Sequence, residues 1–161
     1  MNNYQMTKTL GEGSFAIVYE GRHQKDSTRV AIKKIKDKQK SWEACLSMRE
    51  LRSLKSLGKH PNLVHLRELI LDQQTKYLYF VFEFLPKDLH KVIQGARSTG
   101  GFSDARAGEM CAGLLSGVGH MHARGFMHRD LKPENILCDE SGTKLKIADL
   151  GLAREIRSRH P

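Results

Sequence analysis

The chain has 161 residues, 27 Lys+Arg against 18 Asp+Glu, a formal net charge of +9, and three cysteines. This length allows one ordinary domain with a sizeable core, and the charge favours anionic partners: a nucleotide, an acidic protein, nucleic acid or a membrane surface. Cys45, Cys111 and Cys138 lie far apart with no paired spacing, which argues against a zinc or disulfide framework and for a reducing compartment.

Residues 1–10 are polar and lack the apolar core of a signal segment. The longest apolar run, 77–85, contains Glu83 and is too short to span a bilayer, so no membrane span is expected. The bases are dispersed apart from Lys33, Lys34, Lys36, Lys38 and Lys40, and again Arg154, Arg157 and Arg159. No nucleic-acid module accompanies them, so direct nucleic-acid binding is not expected. The reading is a soluble intracellular protein.

In chain order, alternating stretches over 4–10 and 16–22 predict two strands around Gly11-Glu12-Gly13-Ser14-Phe15, a hairpin with glycines at its tip. Val30-Ala31-Ile32-Lys33 reads as a third strand ending in a cation. A helix is expected over 41–57, capped by Ser41 and stopped by Gly58, burying Cys45, Met48, Leu51 and Leu54. Strands over 63–71 and 77–85 follow, joined by a polar turn.

After Pro86 the pattern turns helical: a short helix over 88–94, a glycine-rich loop over 95–101, then a long helix capped by Ser103 or Asp104 and running to about Arg124. Its buried stripe is Met110, Leu114, Val118 and Met121. It also holds Gly108, Gly113, Gly117 and Gly119, each costing about 1 kcal/mol against Ala, so packing must hold it. A last strand, 145–148, delivers Asp149. The fold class is α+β: a five-stranded antiparallel unit with one helix over 1–85, then a mostly helical unit over 86–161.

The strongest chemical signal is His128-Arg129-Asp130-Leu131-Lys132-Pro133-Glu134-Asn135, with Asp149-Leu150-Gly151 beyond an intervening strand. Asp130 can orient or deprotonate a hydroxyl, Asn135 and Asp149 offer oxygens to Mg²⁺, and Lys132 can neutralise a transferring phosphate. Such a set, oxygen ligands and cations without a covalent nucleophile, suits phosphoryl transfer from ATP. Gly11-Glu12-Gly13-Ser14-Phe15-Ala16-Ile17-Val18 would let backbone N–H groups approach phosphate oxygens. Ala16 stands where a third glycine is expected, at about 1 kcal/mol if that backbone needs positive φ.

Lys33 would hold the α- and β-phosphates, although a lone strand-end lysine is more often simply solvated. Its tether would be Glu50, with Glu43 and Glu68 as rivals; Glu50 neighbours the buried helix face, whereas a first-turn Glu43 is explained by the helix dipole. Phe82, Glu83 and Leu85 would line an adenine site, with main-chain groups of Glu83 and Leu85 reading the base edge. Taken alone, that stretch is a plain buried strand. His60, His65, His90, His120 and His122 show no ligand spacing and read as surface or packing residues.

These motifs fall in the order of eukaryotic protein kinases, which the chain resembles from about Tyr4 to its end. Leu10-Gly11-Glu12-Gly13, Phe82-Glu83-Phe84-Leu85 and Lys146-Ile147-Ala148-Asp149 look like the cyclin-dependent and MAP kinase branch. Ser41-Trp42-Glu43-Ala44-Cys45 with Met48-Arg49-Glu50-Leu51-Arg52-Ser53-Leu54, and Gly151-Leu152-Ala153-Arg154-Glu155-Ile156-Arg157-Ser158, are similar to the male germ cell-associated, intestinal cell and long-flagella kinases. The resemblance implies a protein-kinase fold and an ATP- and Mg²⁺-dependent enzyme acting on protein Ser/Thr hydroxyls, served by an upstream activating kinase. Catalysis would rest on Asp130, Lys132, Lys33 and Glu50, with metal on Asn135 and Asp149. Leu10, Gly11, Gly13, Val18, Ala31, Lys33, Phe82, Glu83, Leu85 and Leu137 would hold the nucleotide, and Leu54, Leu66, His128 and Leu150 would stack as a regulatory spine. The implied location is cytoplasmic, with nucleus or cilium and flagellum as further sites.

Departures from the pattern carry expectations too. The helix lacks a cyclin-binding signature, Ser14-Phe15 replaces the inhibitory Thr-Tyr pair, and Leu150 fills less volume than the usual phenylalanine. The resemblance ends inside the activation segment, before the Thr-x-Tyr site and the Ala-Pro-Glu anchor, so the large lobe is expected to be incomplete. Arg129 would then lack its phosphate partner, and the long helix would expose apolar side chains. A second reading follows: a nucleotide-binding fragment that acts as a binding or regulatory module.

Overall fold

Two sheet systems organise the chain, one for each of its two units. The computed structural model describes Met1 and residues 3–156. The first unit joins Met1–Met48 to His65–Phe84; the second joins Arg49–Val64 to the residues from Leu85 onward. Unlike a single cut at 85/86, this division gives 49–64 to the second unit.

In the first unit, β1 (Tyr4–Glu12), β2 (Ala16–His23), β3 (Arg29–Ile35), β4 (Leu66–Leu71) and β5 (Leu78–Glu83) form an antiparallel sheet in the order β1-β2-β3-β5-β4. Side chains alternate across a strand, so each face has its own chemistry. One face buries Val30, Ile32, Tyr79 and Val81, with Tyr4, Tyr19 and Ile70 around them. The register Gly11↔Val18, Val18↔Lys33, Lys33↔Phe80 and Ala31↔Phe82 puts those residues on the other face. Part of the basic cluster is used inside this unit: Lys36 pairs with Glu12 at 2.6 Å, and the Lys34 ammonium lies 3.9 Å from the Tyr77 ring centroid.

The expected helix over 41–57 is two helices, α1 (Trp42–Leu46) and α2 (Arg49–Leu57). Ser47 Oγ donates to the Ala44 carbonyl at 2.7 Å, and Met48 N–H donates back only three residues, to Cys45. A side chain competing for a helix carbonyl, followed by a tightened turn, ends α1 without Gly or Pro. The expected strand over 63–71 starts only at Leu66, because Leu63 and Val64 run along Ile147 instead; Val64 N–H donates to the Ile147 carbonyl at 2.9 Å.

In the second unit, β6 (Lys87–Asp88) leads into α3 (Leu89–Arg97), whose first turn is capped by the Asp88 carboxylate accepting from Lys91 N–H at 2.8 Å. The helix continues through Gly95, into the expected loop. Ser103, not Asp104, caps α4 (Asp104–Ala123), while Asp104 sits in the first turn where the helix dipole favours an acid. Met110 and Met121 of the predicted stripe are buried, with Leu114 and Val118 packed at the core's edge. Leu115 remains largely exposed on the same helix.

Two small sheets complete the unit: β7 (Phe126–Met127) with β10 (Arg154–Glu155), and β6 with β8 (Ile136–Cys138) and β9 (Leu145–Ile147). Leu150 is 2 % exposed and packs in the same core as Leu57, Phe126 and Ile147, with Leu54 against it. No helix among the described residues is long and apolar enough to cross a membrane. Arg157 and Arg159 lie outside the described residues.

Candidate active site

The second unit gathers its chemistry at the loop between β7 and β8. After Lys132, Pro133 opens a single 3₁₀ turn, Pro133–Asn135, closed by Asn135 N–H on the Lys132 carbonyl at 2.9 Å. Proline has no N–H to lose at that position and arrives with the right φ. The turn folds Asn135 back onto Asp130. Asn135 Nδ2 donates to the Asp130 carboxylate Oδ2 and to its main-chain carbonyl, both at 2.9 Å. Lys132 Nζ lies 3.0 Å from the same Oδ2.

The hydrogen bond from Lys132 holds the Asp130 carboxyl below its usual range, and the bond from Asn135 and the lysine charge add to it. The same contact raises Lys132, which stays protonated. A carboxylate so held is a poor proton acceptor and a dependable hydrogen-bond acceptor. Of the two roles expected for Asp130, orienting a hydroxyl therefore fits better than deprotonating it in advance.

His128 fixes the loop from beneath. It is 3 % exposed, and its Nδ1 accepts from Asp130 N–H at 3.3 Å. The proton therefore sits on Nε2, which donates to the Ala148 carbonyl at 2.8 Å. Ala148 N–H in turn donates to the Asn135 carbonyl at 2.9 Å. This crosslink, absent from the sequence reading, ties the residue before Asp149 to both ends of the catalytic loop.

Asp149 and Arg129 both lie in the left-handed region, at φ 57° and 69°. Aspartate tolerates it; arginine pays about 1–2 kcal/mol. Strain of this kind persists where the surroundings over-determine it, and here Arg129 Nε donates to the Leu152 carbonyl at 3.0 Å. A methyl placed on Gly151 would sit 3.4 Å from Asp149 Oδ1 and 3.9 Å from Glu50 Oε2, so both carboxylates flank one glycine. Glu50 is 8 % exposed while Glu43 is exposed, but Glu50 also occupies the first turn of its own helix. Burial, not position along a helix, is what distinguishes it.

Asn135 and Asp149 fit Mg²⁺ by donor type. With both amide N–H bonds turned to Asp130, Asn135 presents its oxygen on the other side, and Asp149 is exposed. No group of three His, Cys, Asp or Glu able to hold a metal occurs among the described residues. A magnesium ion here would draw its other ligands from phosphate and water, its common habit.

The first unit places Gly11, Val18, Ala31, Lys33 and Phe82 on the sheet face opposite its apolar cluster. Gly11 and Gly13 have neither positive φ nor a crowded Cβ direction; the nearest atom to a Cβ on Gly13 is 3.8 Å away. The fold itself does not require those glycines. Gly13 N–H closes the hairpin on the Ala16 carbonyl at 2.9 Å and is therefore taken up within the turn. Ala16 lies in β2 opposite Ile35 without positive φ, so the expected backbone penalty does not arise. Glu83 N–H goes to the His65 carbonyl at 3.1 Å, so it is not the N–H expected to read a base edge. Leu10 lies half-exposed in β1. Leu85 and Leu137 belong to the second unit, where Leu137 points away from the core that takes Ile136 and Cys138.

A lysine-backed carboxylate joined to an amide, with a second carboxylate beyond a short strand, is equipment for phosphoryl transfer. The chain belongs to the protein kinase domain family, whose model matches residues 4–161. It is 44% identical over 162 residues to serine/threonine-protein kinase ICK of Rattus norvegicus, covering 100% of this chain and 25% of that protein. It is 40% identical to serine/threonine-protein kinase MAK of Mus musculus, again covering 100% and 25%, and 37% identical to cyclin-dependent kinase F-4 of Oryza sativa subsp. japonica, covering 100% and 34%. These relatives place it in the cyclin-dependent kinase branch beside ICK and MAK. The chain spans about a quarter of the length of the ICK and MAK relatives it matches.

Proposed function

We propose that the chain carries the nucleotide-handling and catalytic-loop part of a protein serine/threonine kinase, moving the γ-phosphoryl group of ATP to a protein hydroxyl. The observation that carries this is the hydrogen-bonded set Asp130, Lys132 and Asn135, crosslinked through His128 and Ala148 to the residue before Asp149. Asp130 orients the acceptor hydroxyl, and Lys132 neutralises charge on the group in flight. Asn135 and Asp149 would hold Mg²⁺, which would supply charge neutralisation to the phosphates.

In the first unit, Lys33 is the cation for the α- and β-phosphates, and the face holding Val18, Ala31 and Phe82 takes the adenine. Leu10 adds apolar contact to that base. Glu50, buried in the second unit, is the acid that the family pattern counts in the catalytic set. Positioning and charge neutralisation, rather than a covalent intermediate, provide the rate enhancement.

The test is transfer of labelled phosphate from Mg·ATP to paired peptides that differ only in Ser, Thr or Tyr as acceptor. Transfer to the Ser and Thr peptides is the expected result. Transfer to Tyr alone, or none from a chain that binds ATP, contradicts the reading.

A further inference from the structure

On the side of the second unit where α2 ends, two histidines pack ring on ring. His60, in the turn after α2, and His120, in the last turn of α4, have centroids 4.3 Å apart and planes 37° apart. His60 Nδ1 accepts from Asn62 N–H at 3.1 Å. His120 Nδ1 faces Arg124 Nη1 at 3.1 Å, and a guanidinium only donates. The His120 proton therefore sits on Nε2, which donates to the Leu57 carbonyl at 2.8 Å. In this arrangement each Nδ1 acts as an acceptor. A proton on either Nδ1 would set donor against donor and add a cation beside Arg124.

The turn they hold is the one that fixes β9. The Asn62 carbonyl accepts from Ile147 N–H at 2.8 Å, and Asn62 Nδ2 donates to the Leu145 carbonyl at 3.0 Å. A Cβ on Gly117 would lie 3.0 Å from the Asn62 carbonyl, so α4 meets this turn at closest approach. From Ile147 the chain runs directly to Ala148 and Asp149.

We propose that His60 and His120 form a proton-sensitive clasp: neutral, they seat the 60–62 turn on α4 and β9; protonated, they release it and slacken the strand that carries Asp149. The effect on catalysis rests on the kinase reading, but the clasp does not. Burial lowers the proton affinity of His60, and His120 and Arg124 lower it further. Arg49, Arg52 and Lys55 on α2, Lys59 in the turn, Arg106 and His122 on α4, and Lys144 and Lys146 beside and in β9 are the other basic groups those elements carry. Features favouring positive charge are the C-terminal carbonyls of α2, one of which accepts from His120 Nε2, the last turn of α4 in which His120 itself lies, and the carboxylates of Glu50 on α2 and of Asp104 and Glu109 on α4.

With the His60 value depressed in the folded state, the contribution of that ring to the clasp is complete above the ordinary imidazole value of about 6.5. It weakens as pH falls through that value, and the loss levels off below the folded-state value.

The test is amide hydrogen exchange of the full chain at about pH 7.5 and about pH 5.5, corrected for intrinsic rates, against a His120→Phe variant that keeps a ring and cannot titrate. Protection of the Asn62 and Ile147 amides should fall at the lower pH, while Ile32 in the five-stranded sheet changes little; His120→Phe should shrink the difference. Equal protection of Ile147 at both values in the wild type overturns the proposal, whether or not the variant folds. So does an equal loss at Ile32 and Ile147, which would be global acid unfolding. Exchange reads no catalysis, so a failed phosphate-transfer assay would remove the kinase reading and leave this result standing.

Discussion

Asn135 gives both of its amide N–H bonds to Asp130, one to the carboxylate and one to the main-chain carbonyl, each at 2.9 Å. This makes the residue that orients a hydroxyl and a residue that meets a metal one rigid piece. Asn135→Ala removes the metal oxygen and the brace together. Mg²⁺ affinity and transfer should each fall by about 10–100-fold. The check is a Mg²⁺ titration of transfer at fixed ATP, and a variant with unchanged magnesium dependence removes Asn135 from the metal role.

The hydrogen bond from Lys132 lowers the proton affinity of Asp130. Replacing Lys132 with Met removes the largest cause of the lowered carboxyl value, so Asp130 should titrate closer to the ordinary value of about 3.9. For a carboxylate with a depressed value, the benefit is complete above the unfolded value and is lost as pH falls through the folded one. The acid limb of the transfer profile should therefore move upward in pH in Lys132→Met. Carbon-13 titration of the Asp130 carboxyl measures the shift directly.

The hairpin glycines separate folding from binding. Since a Cβ at Gly11 meets nothing within 4 Å and Gly13 is nearly as open, alanine at either site should leave stability within about 0.5 kcal/mol. ATP affinity should fall about tenfold, or 1.4 kcal/mol, if phosphates approach that backbone. Thermal melts with and without ATP compare the two effects. A large loss of stability without ligand would show that the glycines serve the fold.

The glycines of α4 divide in the opposite sense. A Cβ on Gly117 would meet the Asn62 carbonyl and Ile147 Cδ1, both at 3.0 Å, whereas Gly108 and Gly119 face open space. Gly117→Ala should cost about 1–3 kcal/mol, and Gly108→Ala or Gly119→Ala should gain about 0.5–1 kcal/mol. Denaturant midpoints decide it.

Much of this was legible in the sequence because long periodic runs leave little choice: the five strands of the first unit and α4 fall where alternation and the 3.6-residue stripe put them. β6, β7, β8 and β10 have two or three residues each, too few for any period. The break at Ser47 carries no Gly or Pro and is made by a serine hydroxyl bonding backward. At the site, eight consecutive residues announced the chemistry, but the His128 bridge depends on contacts twenty residues apart. Asn62 had a readable sign: Gly113 and Gly117, four apart on one helix face, mark a close approach.

The most direct measurement is phosphate transfer from Mg·ATP to a generic basic protein by the chain and by its Asp130→Asn variant, which keeps the size of the side chain but presents an amide to Lys132. The account predicts measurable transfer by the wild type and a loss of at least about 100-fold in the variant, with ATP binding unchanged. Equal transfer by both proteins would contradict it, because the group at the centre of the hydrogen-bonded set would then have no part in the chemistry.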